Sequence, residues 1–254
     1  MPGRSKPLAV DSPYPQVYDE HQRGEKGQNA AKGKPTAMKQ HDTKYQTGDP
    51  LGPEQAAPGV VISADTRRAD RVPPGQSRTR KWPVLHYGRV PIVPFDTWRL
   101  DITGLVERPL SFSWDEFRAL PRTKVFADFH CVTRWSRLGN LWDGVSVRTM
   151  LDLAGVKPQA KYVVATGYDD GWTTNLPLAD FRSEDALFAD THDGEPLVPD
   201  HGGPVRLIVP LLYAWKSAKW VQSIELTLQD RPGLWERLGY HNHGNPWNEE
   251  RYGS

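Results

Sequence analysis

The chain has 254 residues, of which 37% are hydrophobic and 25% are charged, as is usual for a soluble globular protein with one large or two small domains. Its 32 basic and 31 acidic residues give a net charge of +1, which argues against a general nucleic-acid or membrane-surface role. The single cysteine excludes an intrachain disulfide.

No apolar run approaches the roughly 20 residues that a membrane span needs, so we expect no direct membrane insertion. The first residues are polar, and the pair Arg67-Arg68 is followed by Ala-Asp-Arg-Val-Pro-Pro in place of the apolar stretch of an export signal. We therefore expect a cytoplasmic location.

The first 76 residues differ in composition from the rest. They are rich in Lys, Gln, Gly, Pro and Ala and poor in large apolar residues, so they bury too little surface to offset the entropy of ordering. We predict a mostly disordered tail over 1–76, with residues 59–62 as its only core-like part, and a globular domain over 77–254. A tail that docks a partner is the alternative to a merely solvated one.

Short strands and shorter helices are predicted through the globular part. Ser113 and Glu116 form a capping box that begins a helix, and Ser146 and Gly155 bound a second helix. Alternating residues predict strands at 98–102, 124–131, 162–166, 205–209 and 221–228, with a turn at 192–195. Because no regular βαβ alternation is present, we expect a mixed, strand-dominated α+β domain around a coiled sheet or barrel.

Cys131 is the first candidate for chemistry. A lone cysteine is most often a small buried hydrophobe. The neighbouring cations His130, Arg134 and Arg137 would favour a thiolate, which is the soft ligand that transition metals prefer. The same features suit the nucleophile of a hydrolase with His130 as its base, although adjacent strand residues point to opposite faces. Chemistry alone leaves both interpretations open.

Three further places suit an anion. The glycines at 202–203 permit close approach of backbone to a ligand. Arg206 interrupts an apolar strand, where it must meet either a carboxylate or a ligand anion. Lys216 and Lys219 stand among aromatic residues, where the ordinary interpretation is snorkelling from a core edge. Together with the thiol, these places suggest a large, negatively charged cofactor that carries a metal.

Three motifs resemble the sulfite-oxidase-fold molybdopterin oxidoreductases, in particular their small stand-alone bacterial members. They are Phe-His-Cys-Val-Thr-Arg-Trp at 129–135, Gly-Gly-Pro-Val-Arg-Leu-Ile-Val-Pro at 202–210 and Tyr-Ala-Trp-Lys-Ser-Ala-Lys-Trp at 213–220. The order and spacing of the motifs match across nearly the whole globular part.

The resemblance implies roles for individual residues. Cys131 would be the protein ligand to molybdenum in the molybdenum–molybdopterin cofactor. The residues implied to bind the cofactor are His86, Cys131, Thr166, His201, Arg206, Ser217, Ala218 and Lys219. Our candidates for the lining of the substrate pocket are Arg134, Tyr168 and Asp170. The cofactor would supply oxygen-atom and electron chemistry on a small oxyanion or sulfoxide, and the protein would bind and orient it.

Departures from the family pattern bear on the substrate and on the electron partner. Sulfite oxidases place further arginines just after the cysteine, whereas here only Arg134 is suitably placed. Methionine-sulfoxide reductases share the Cys-Val-x-x-Trp pattern of 131–135 but carry an export signal. The sequence shows no haem domain and no dinucleotide fingerprint, so we expect a separate electron-transfer protein. A cysteine hydrolase and a non-catalytic cofactor-binding module remain the alternatives, and the direction of the reaction stays open.

Overall fold

Two open β-sheets form most of the fold in the computed structural model, which describes residues 52–253. Within that range the strands are β1 (Val61–Ile62), β2 (Ser77–Arg78), β3 (Arg99–Gly104), β4 (Leu110–Ser113), β5 (Thr123–Cys131), β6 (Trp135–Ser146), β7 (Tyr162–Gly167), β8 (Thr173–Pro177), β9 (Leu187–His192), β10 (Glu195–Pro196), β11 (Arg206–Ile208) and β12 (Val221–Thr227). The helices are α1 (Trp114–Ala119), α2 (Val147–Ala154), α3 (Leu178–Phe181) and α4 (Leu234–Arg237).

The first sheet has the order β1-β5-β6-β9-β10, with β2 beside β6 and β11 beside β9. The second has the order β4-β3-β12-β7-β8. Most pairs are antiparallel, while three are parallel, namely β1 with β5, β2 with β6 and β3 with β12. The predicted strand-dominated α+β class is confirmed. Of the two predicted arrangements, a coiled sheet and a barrel, the barrel is not formed, because neither sheet closes within the described range.

Both sheets contribute to the main core. Leu100, Ile102 and Ile224 from the second sheet share one buried cluster with Phe188 and Leu207 from the first. A smaller cluster packs around the buried indole of Trp142. Cys131 belongs to the main cluster, so the end of β5 is held by a rigid apolar framework.

The predicted helix signals match the structure. The Ser113 hydroxyl accepts from the Glu116 amide while the Glu116 carboxylate accepts from the Ser113 amide, which begins α1. Gly155, at φ 69°, ends α2 in a conformation that glycine adopts without strain. Among the described residues, none of the helices has the length and apolar character needed to cross a bilayer.

The structure differs from the predicted domain boundary between residues 76 and 77. The segment 61–76 lies against the first sheet, where Arg71 binds the buried Asp128 through two hydrogen bonds of 2.6 and 2.8 Å. The composition of residues 61–76 gives too low an estimate of their order, because polar contacts hold this segment on the sheet, whereas the prediction considered only the apolar surface that the segment could bury. The tail predicted for residues 1–51 lies outside the described residues.

The C-terminal segment returns over the same region. Arg251 donates to the carbonyl of Pro74 at 2.9 Å. His243 bridges two carboxylates, with one ring nitrogen 2.9 Å from Asp180 and the other 2.9 Å from Glu250. These hydrogen bonds raise the pKa of His243, the one to Asp180 contributing most. Residues 61–76 and the C-terminal segment thus meet beside the end of β5, where Gln76 donates to the Cys131 carbonyl and Arg251 donates to the Val132 carbonyl.

Candidate active site

A cleft of about 780 Å³ lies where β5 ends at Cys131. This volume includes space that is open to solvent. The polar residues of its lining are His86, Cys131, Thr133, Asp169, Arg206, Ser217 and Lys219. The aromatic residues of its lining are Trp82, Tyr87, Phe129, Trp135, Trp172, Trp215, Trp220, Trp235 and Tyr240.

Cys131 is 7% exposed and faces this cleft. Its Sγ accepts a hydrogen bond of 3.1 Å from the Thr133 hydroxyl, and its carbonyl accepts one of 3.0 Å from the Gln76 side chain. Burial raises the pKa of the thiol, with Thr133 opposing the shift. In the metal-free protein the cysteine is therefore held as a neutral thiol.

The cations predicted to activate Cys131 do not line the cleft. Burial lowers the pKa of His130 to about 4, and its ring nitrogen pairs with a serine hydroxyl at 2.9 Å on the opposite face of β5. Arg134 is exposed in a left-handed turn at φ 70°, and Arg137 binds Asp193 at 2.9 Å. The prediction of a cation-lowered thiol pKa is wrong, because strand alternation and the turn after β5 direct all three side chains elsewhere.

Arg206 is one of the two cations that do line the cleft. Its side chain, only 2% exposed as a residue, donates to the carbonyls of His201 at 2.9 Å and Ser217 at 3.1 Å. Its Nε has no hydrogen-bond partner, and no carboxylate among the described residues pairs with it. Burial lowers the pKa of the guanidinium to about 9. The salt bridge considered for this residue is absent from the described part of the chain.

Lys219 is the second cation of the cleft. Its Nζ donates to the carbonyls of Leu85 at 2.9 Å and Asp200 at 2.6 Å. Burial, and then the nearby Arg206, lower the pKa of this ammonium to about 7. The buried Arg206 and the partly buried Lys219, whose hydrogen bonds to the described residues all go to carbonyl oxygens, make the cleft a site for an anion.

Of four further residues predicted to bind the cofactor, two lie on the cleft lining and two do not. His86 lines the cleft, with Nδ1 3.0 Å from the Gly88 carbonyl and a buried Nε2 that has no partner among the described residues. Ser217 also lines it, and its hydroxyl accepts from the Val209 amide at 2.9 Å. The His201 ring stacks on Trp82 at a centroid distance of 3.8 Å, behind the lining. Ala218 is fully buried behind the same wall.

Three predicted residues of the second sheet and its turn are not part of the lining. Thr166 lies on β7, away from the cleft surface. The Tyr168 hydroxyl accepts from the backbone amide of Arg99 at 2.7 Å and donates to its carbonyl at 2.9 Å. Asp170 is exposed at φ 50°. The preceding residue, Asp169, faces the cleft in its place.

Sequence reasoning missed most of the aromatic wall. The signal was the count of 10 tryptophans, but the six that line the cleft are scattered from Trp82 to Trp235, and only the fold brings these six together. The two adjacent glycines were also misread. A side chain at Gly202 would lie 2.9–3.0 Å from Lys219, and one at Gly203 would lie 2.1 Å from the Leu197 carbonyl. They permit close packing within the protein.

A buried thiol, the cations Arg206 and Lys219 and an aromatic wall define a site for a large anionic, thiol-binding cofactor. The family described as the oxidoreductase molybdopterin binding domain matches residues 87–235. The oxidoreductase YuiH of Bacillus subtilis is 49% identical over 191 residues, which cover 74% of this chain and 96% of that protein. The chain therefore belongs to the molybdopterin-binding oxidoreductases. It is an oxidoreductase with the molybdenum–molybdopterin cofactor that the resemblance implied.

Two more distant relatives agree with this assignment. The protein-methionine-sulfoxide reductase catalytic subunit MsrP of Campylobacter jejuni is 28% identical over 170 residues, 58% of this chain and 54% of that protein. The sulfane dehydrogenase SoxCD of Paracoccus pantotrophus matches in structure with a TM-score of 0.54 at 27% identity, over 57% of this chain and 42% of that one. The chain thus spans about half the length of these two relatives.

The residues present fit the cofactor. The unpartnered Nε of Arg206 and Nε2 of His86 are buried polar groups in the cleft that protein atoms leave unsatisfied. Arg206 and Lys219 would supply positive charge for a phosphate of the cofactor, and Cys131 would supply a soft sulfur for its metal. No group of three His, Cys, Asp or Glu side chains gathers into a metal site in residues 52–253. A single protein ligand, with the rest supplied by the pterin, suits this arrangement.

Proposed function

We propose that Cys131 is the protein ligand to molybdenum and that the enzyme reduces a sulfoxide-type substrate by removing its oxygen atom. The observation that carries the proposal is the pair formed by the buried thiol and the carboxylate-free guanidinium of Arg206, which face one cleft. A bound metal takes the thiol as thiolate, so metal binding releases the proton that burial retains. The cofactor, when bound, supplies the two electrons and the site to which oxygen transfers.

The protein's own residues hold the cofactor in place. Arg206 and Lys219 would meet its phosphate, because a guanidinium fork and an ammonium both bind phosphate oxygens. His86 and Ser217 stand on the same lining and would complete the polar contacts. The rigid framework around β5 fixes the direction from which Cys131 approaches the metal.

The cleft favours a neutral sulfoxide over a doubly charged oxyanion. An oxyanion needs cations beyond those that hold the cofactor, but Arg134 is exposed and stands apart from the lining. The rest of the wall is aromatic and includes Trp172, Trp235 and Tyr240. Aromatic faces suit the sulfur and alkyl groups of a sulfoxide. One relative of the chain, MsrP, is named for the reduction of a methionine sulfoxide.

The electrons come from a separate electron-transfer protein in this proposal. MsrP is named as a catalytic subunit, which implies a partner for that relative. The sequence in hand carries no dinucleotide fingerprint through which it could take electrons directly from a nicotinamide. We also propose a cytoplasmic location, which fractionation of cells would test.

The test begins with protein produced in a host that makes the cofactor. We expect about one molybdenum per chain, as one soft protein ligand implies. We also expect reduction of dimethyl sulfoxide and methionine sulfoxide with reduced methyl viologen as donor. Sulfite oxidation with ferricyanide serves as the comparison reaction. Molybdenum-loaded protein that oxidises sulfite and leaves both sulfoxides unchanged would favour the oxyanion substrate.

A further inference from the structure

The turn after β7 presents one carboxyl group to the cleft. Asp169 lies on the same lining as Cys131, whereas the next residue, Asp170, faces solvent. The Oδ1 of Asp169 is buried and has no hydrogen-bond partner among the residues described. A methyl group at Gly167 would lie 2.2 Å from this oxygen, so the carboxyl is folded back against the glycine backbone. The absence of a side chain at Gly167 makes room for it.

The charges around Asp169 come from several elements. Lys219 is the cation that acts on it most strongly, and Asp170 in its own turn opposes that effect. The other titratable groups that line the cleft are Cys131, Arg206, His86, Tyr87 and Tyr240. Asp169 forms no salt bridge with any described residue. Burial raises the pKa of this carboxyl to about 7, because it outweighs both a hydrogen bond from the residue's own backbone amide and the charge of Lys219, which lower it.

Sulfoxide reduction needs a proton source at this place. The overall change breaks the sulfur–oxygen bond, takes up two electrons and two protons, and releases a thioether and water. The two electrons reduce sulfur and originate from the reduced electron-transfer protein, or from viologen in an assay. Both protons end on the departing oxygen, so an acid must stand close to it inside a cleft from which aromatic residues exclude much of the water.

Other groups in the cleft are poor donors of that proton. Cys131 is committed to the metal in the proposed function, and Arg206 and Lys219 are committed to the cofactor. Burial raises the pKa of the Tyr240 phenol to about 12, so this phenol gives up a proton reluctantly near neutrality. Asp169 is the only carboxyl group of the lining. A purely structural role would normally bring hydrogen bonds to its Oδ1, and the described residues supply none.

On the basis of the proposed sulfoxide reductase function, we propose that Asp169 is a catalytic acid that donates a proton to the oxygen atom leaving the substrate sulfur. The carboxyl group gives one of the two protons as the sulfur–oxygen bond breaks, and it regains a proton from solvent through the mouth of the cleft before the next turnover. The second proton enters from solvent with the release of water.

The first test follows protonation in the metal-free protein, without reference to activity. An Asp whose pKa is raised from 3.8 to about 7 holds its proton in the folded state over a range where the unfolded chain has lost it. Its contribution to stability is therefore present below pH 3.8 and is lost as the pH rises through about 7. Asp169→Asn should remove this loss, so that the variant melts above wild type at about pH 8, by a margin that shrinks toward pH 4. Asp170→Asn, with the same charge change in the same turn, should keep the wild-type pH dependence of melting.

The second test measures kcat for dimethyl sulfoxide with reduced methyl viologen, in preparations matched for molybdenum content. We expect Asp169→Asn to lower kcat by roughly 10²–10⁴-fold and to lose the fall in kcat that wild type shows above about pH 7. If Asp169→Asn keeps the wild-type kcat and pH profile, the catalytic role of Asp169 is refuted while the proposed sulfoxide reductase function stands. Molybdenum-loaded wild type that reduces no sulfoxide would overturn the proposed function, and the catalytic role of Asp169 with it. Identical pH dependence of melting in Asp169→Asn and wild type would show that Asp169 is ionised at neutrality and would also refute its role as an acid.

Discussion

Replacing Arg206 with methionine separates two roles that a buried arginine can have. The arginine either holds the anionic cofactor or balances a buried carboxylate of the protein. In the structure it contacts two carbonyl oxygens and the faces of Trp82, Phe129 and Trp142, with its Cζ 5.1–5.8 Å from the ring centroids. Methionine is shorter than arginine, but it supplies a flexible apolar side chain that can pack against these rings. The substitution therefore removes the charge while keeping part of the packing.

The metal-free protein should tolerate this change. Burial lowers the pKa of Arg206 from 12.5 to about 9, so the interior disfavours the charged form by roughly 5 kcal/mol at about 1.4 kcal/mol per pH unit. Removing the buried charge removes this cost and so offsets the loss of the two hydrogen bonds of Arg206, which are worth roughly 1.5–3 kcal/mol each. The two effects nearly cancel, and we expect little change in the free energy of unfolding.

Cofactor binding should respond very differently. Removing one partner of a buried ion pair typically destabilises by about 3–5 kcal/mol, which corresponds to roughly 10²–10⁴-fold weaker binding of an anion at this place. Molybdenum content of Arg206→Met should therefore collapse in protein purified from a host that makes the cofactor. Metal analysis of the purified protein and thermal melting of the metal-free form are the two assays.

Lys216→Met provides the matched control. Lys216 is also fully buried, but its Nζ pairs with the Glu236 carboxylate at 2.6 Å. Removing the ammonium leaves this buried carboxylate without a counter-charge, held only by hydrogen bonds of 2.9 Å from Thr174 and Trp215. The metal-free variant should therefore lose about 3–5 kcal/mol and melt roughly 6–20 °C lower. If Arg206→Met behaves like this control and still loads molybdenum normally, the reasoning about Arg206 is refuted.

Three further outcomes follow from the structure. Cys131→Ser should keep the metal-free fold but lose molybdenum and turnover, measured by metal analysis and the viologen assay; full activity would exclude the cysteine as ligand. The protonated His243 stabilises the fold below its ordinary pKa of 6.5, and this stabilisation is lost as the pH rises through the raised pKa of the folded state. His243→Gln should therefore flatten the change in urea midpoint between about pH 6 and pH 8. An unchanged pH dependence of the midpoint would contradict this role. Deleting residues 1–51 should leave metal loading intact. Deleting residues 1–76 also removes Arg71 and leaves Asp128 buried without this partner, so it should destabilise the protein by about 3–5 kcal/mol in urea unfolding. Equal stability of the two truncated proteins would argue against a stabilising role of the Arg71–Asp128 pair.

Local signals in the sequence predicted the fold well where the chain itself supplies the cause. The capping box of Ser113 and Glu116 and the glycine at 155 act within one turn of helix, so their effect is visible without a structure. Cys131 was placed correctly at the end of a strand because alternation is also local. The motif resemblance then indicated a family that the matches over 87–235 establish.

Features that depend on contacts between distant segments could not be predicted in this way. Asp169 and Asp170 are adjacent acids, and the conformation of one turn decides which of them faces the cleft. The attachment of residues 61–76 depends on partners far along the chain, such as Asp128 for Arg71. Likewise, sequence proximity suggested cations beside Cys131, but the cations that share its cleft lie 75 and 88 residues later, at Arg206 and Lys219.

The environment of Cys131 distinguishes a metal ligand from a nucleophile. A nucleophilic cysteine needs a lowered pKa or an adjacent base, and here burial raises the pKa of the thiol while His130 lies on the other face of the strand. A metal ligand needs neither, because the metal's own positive charge displaces the proton when it binds. The cations Arg206 and Lys219, which line the same cleft, support the same distinction because they suit a large anion held beside the thiol. The same burial that makes Cys131 a poor nucleophile is therefore compatible with the proposed role of this cysteine as the molybdenum ligand.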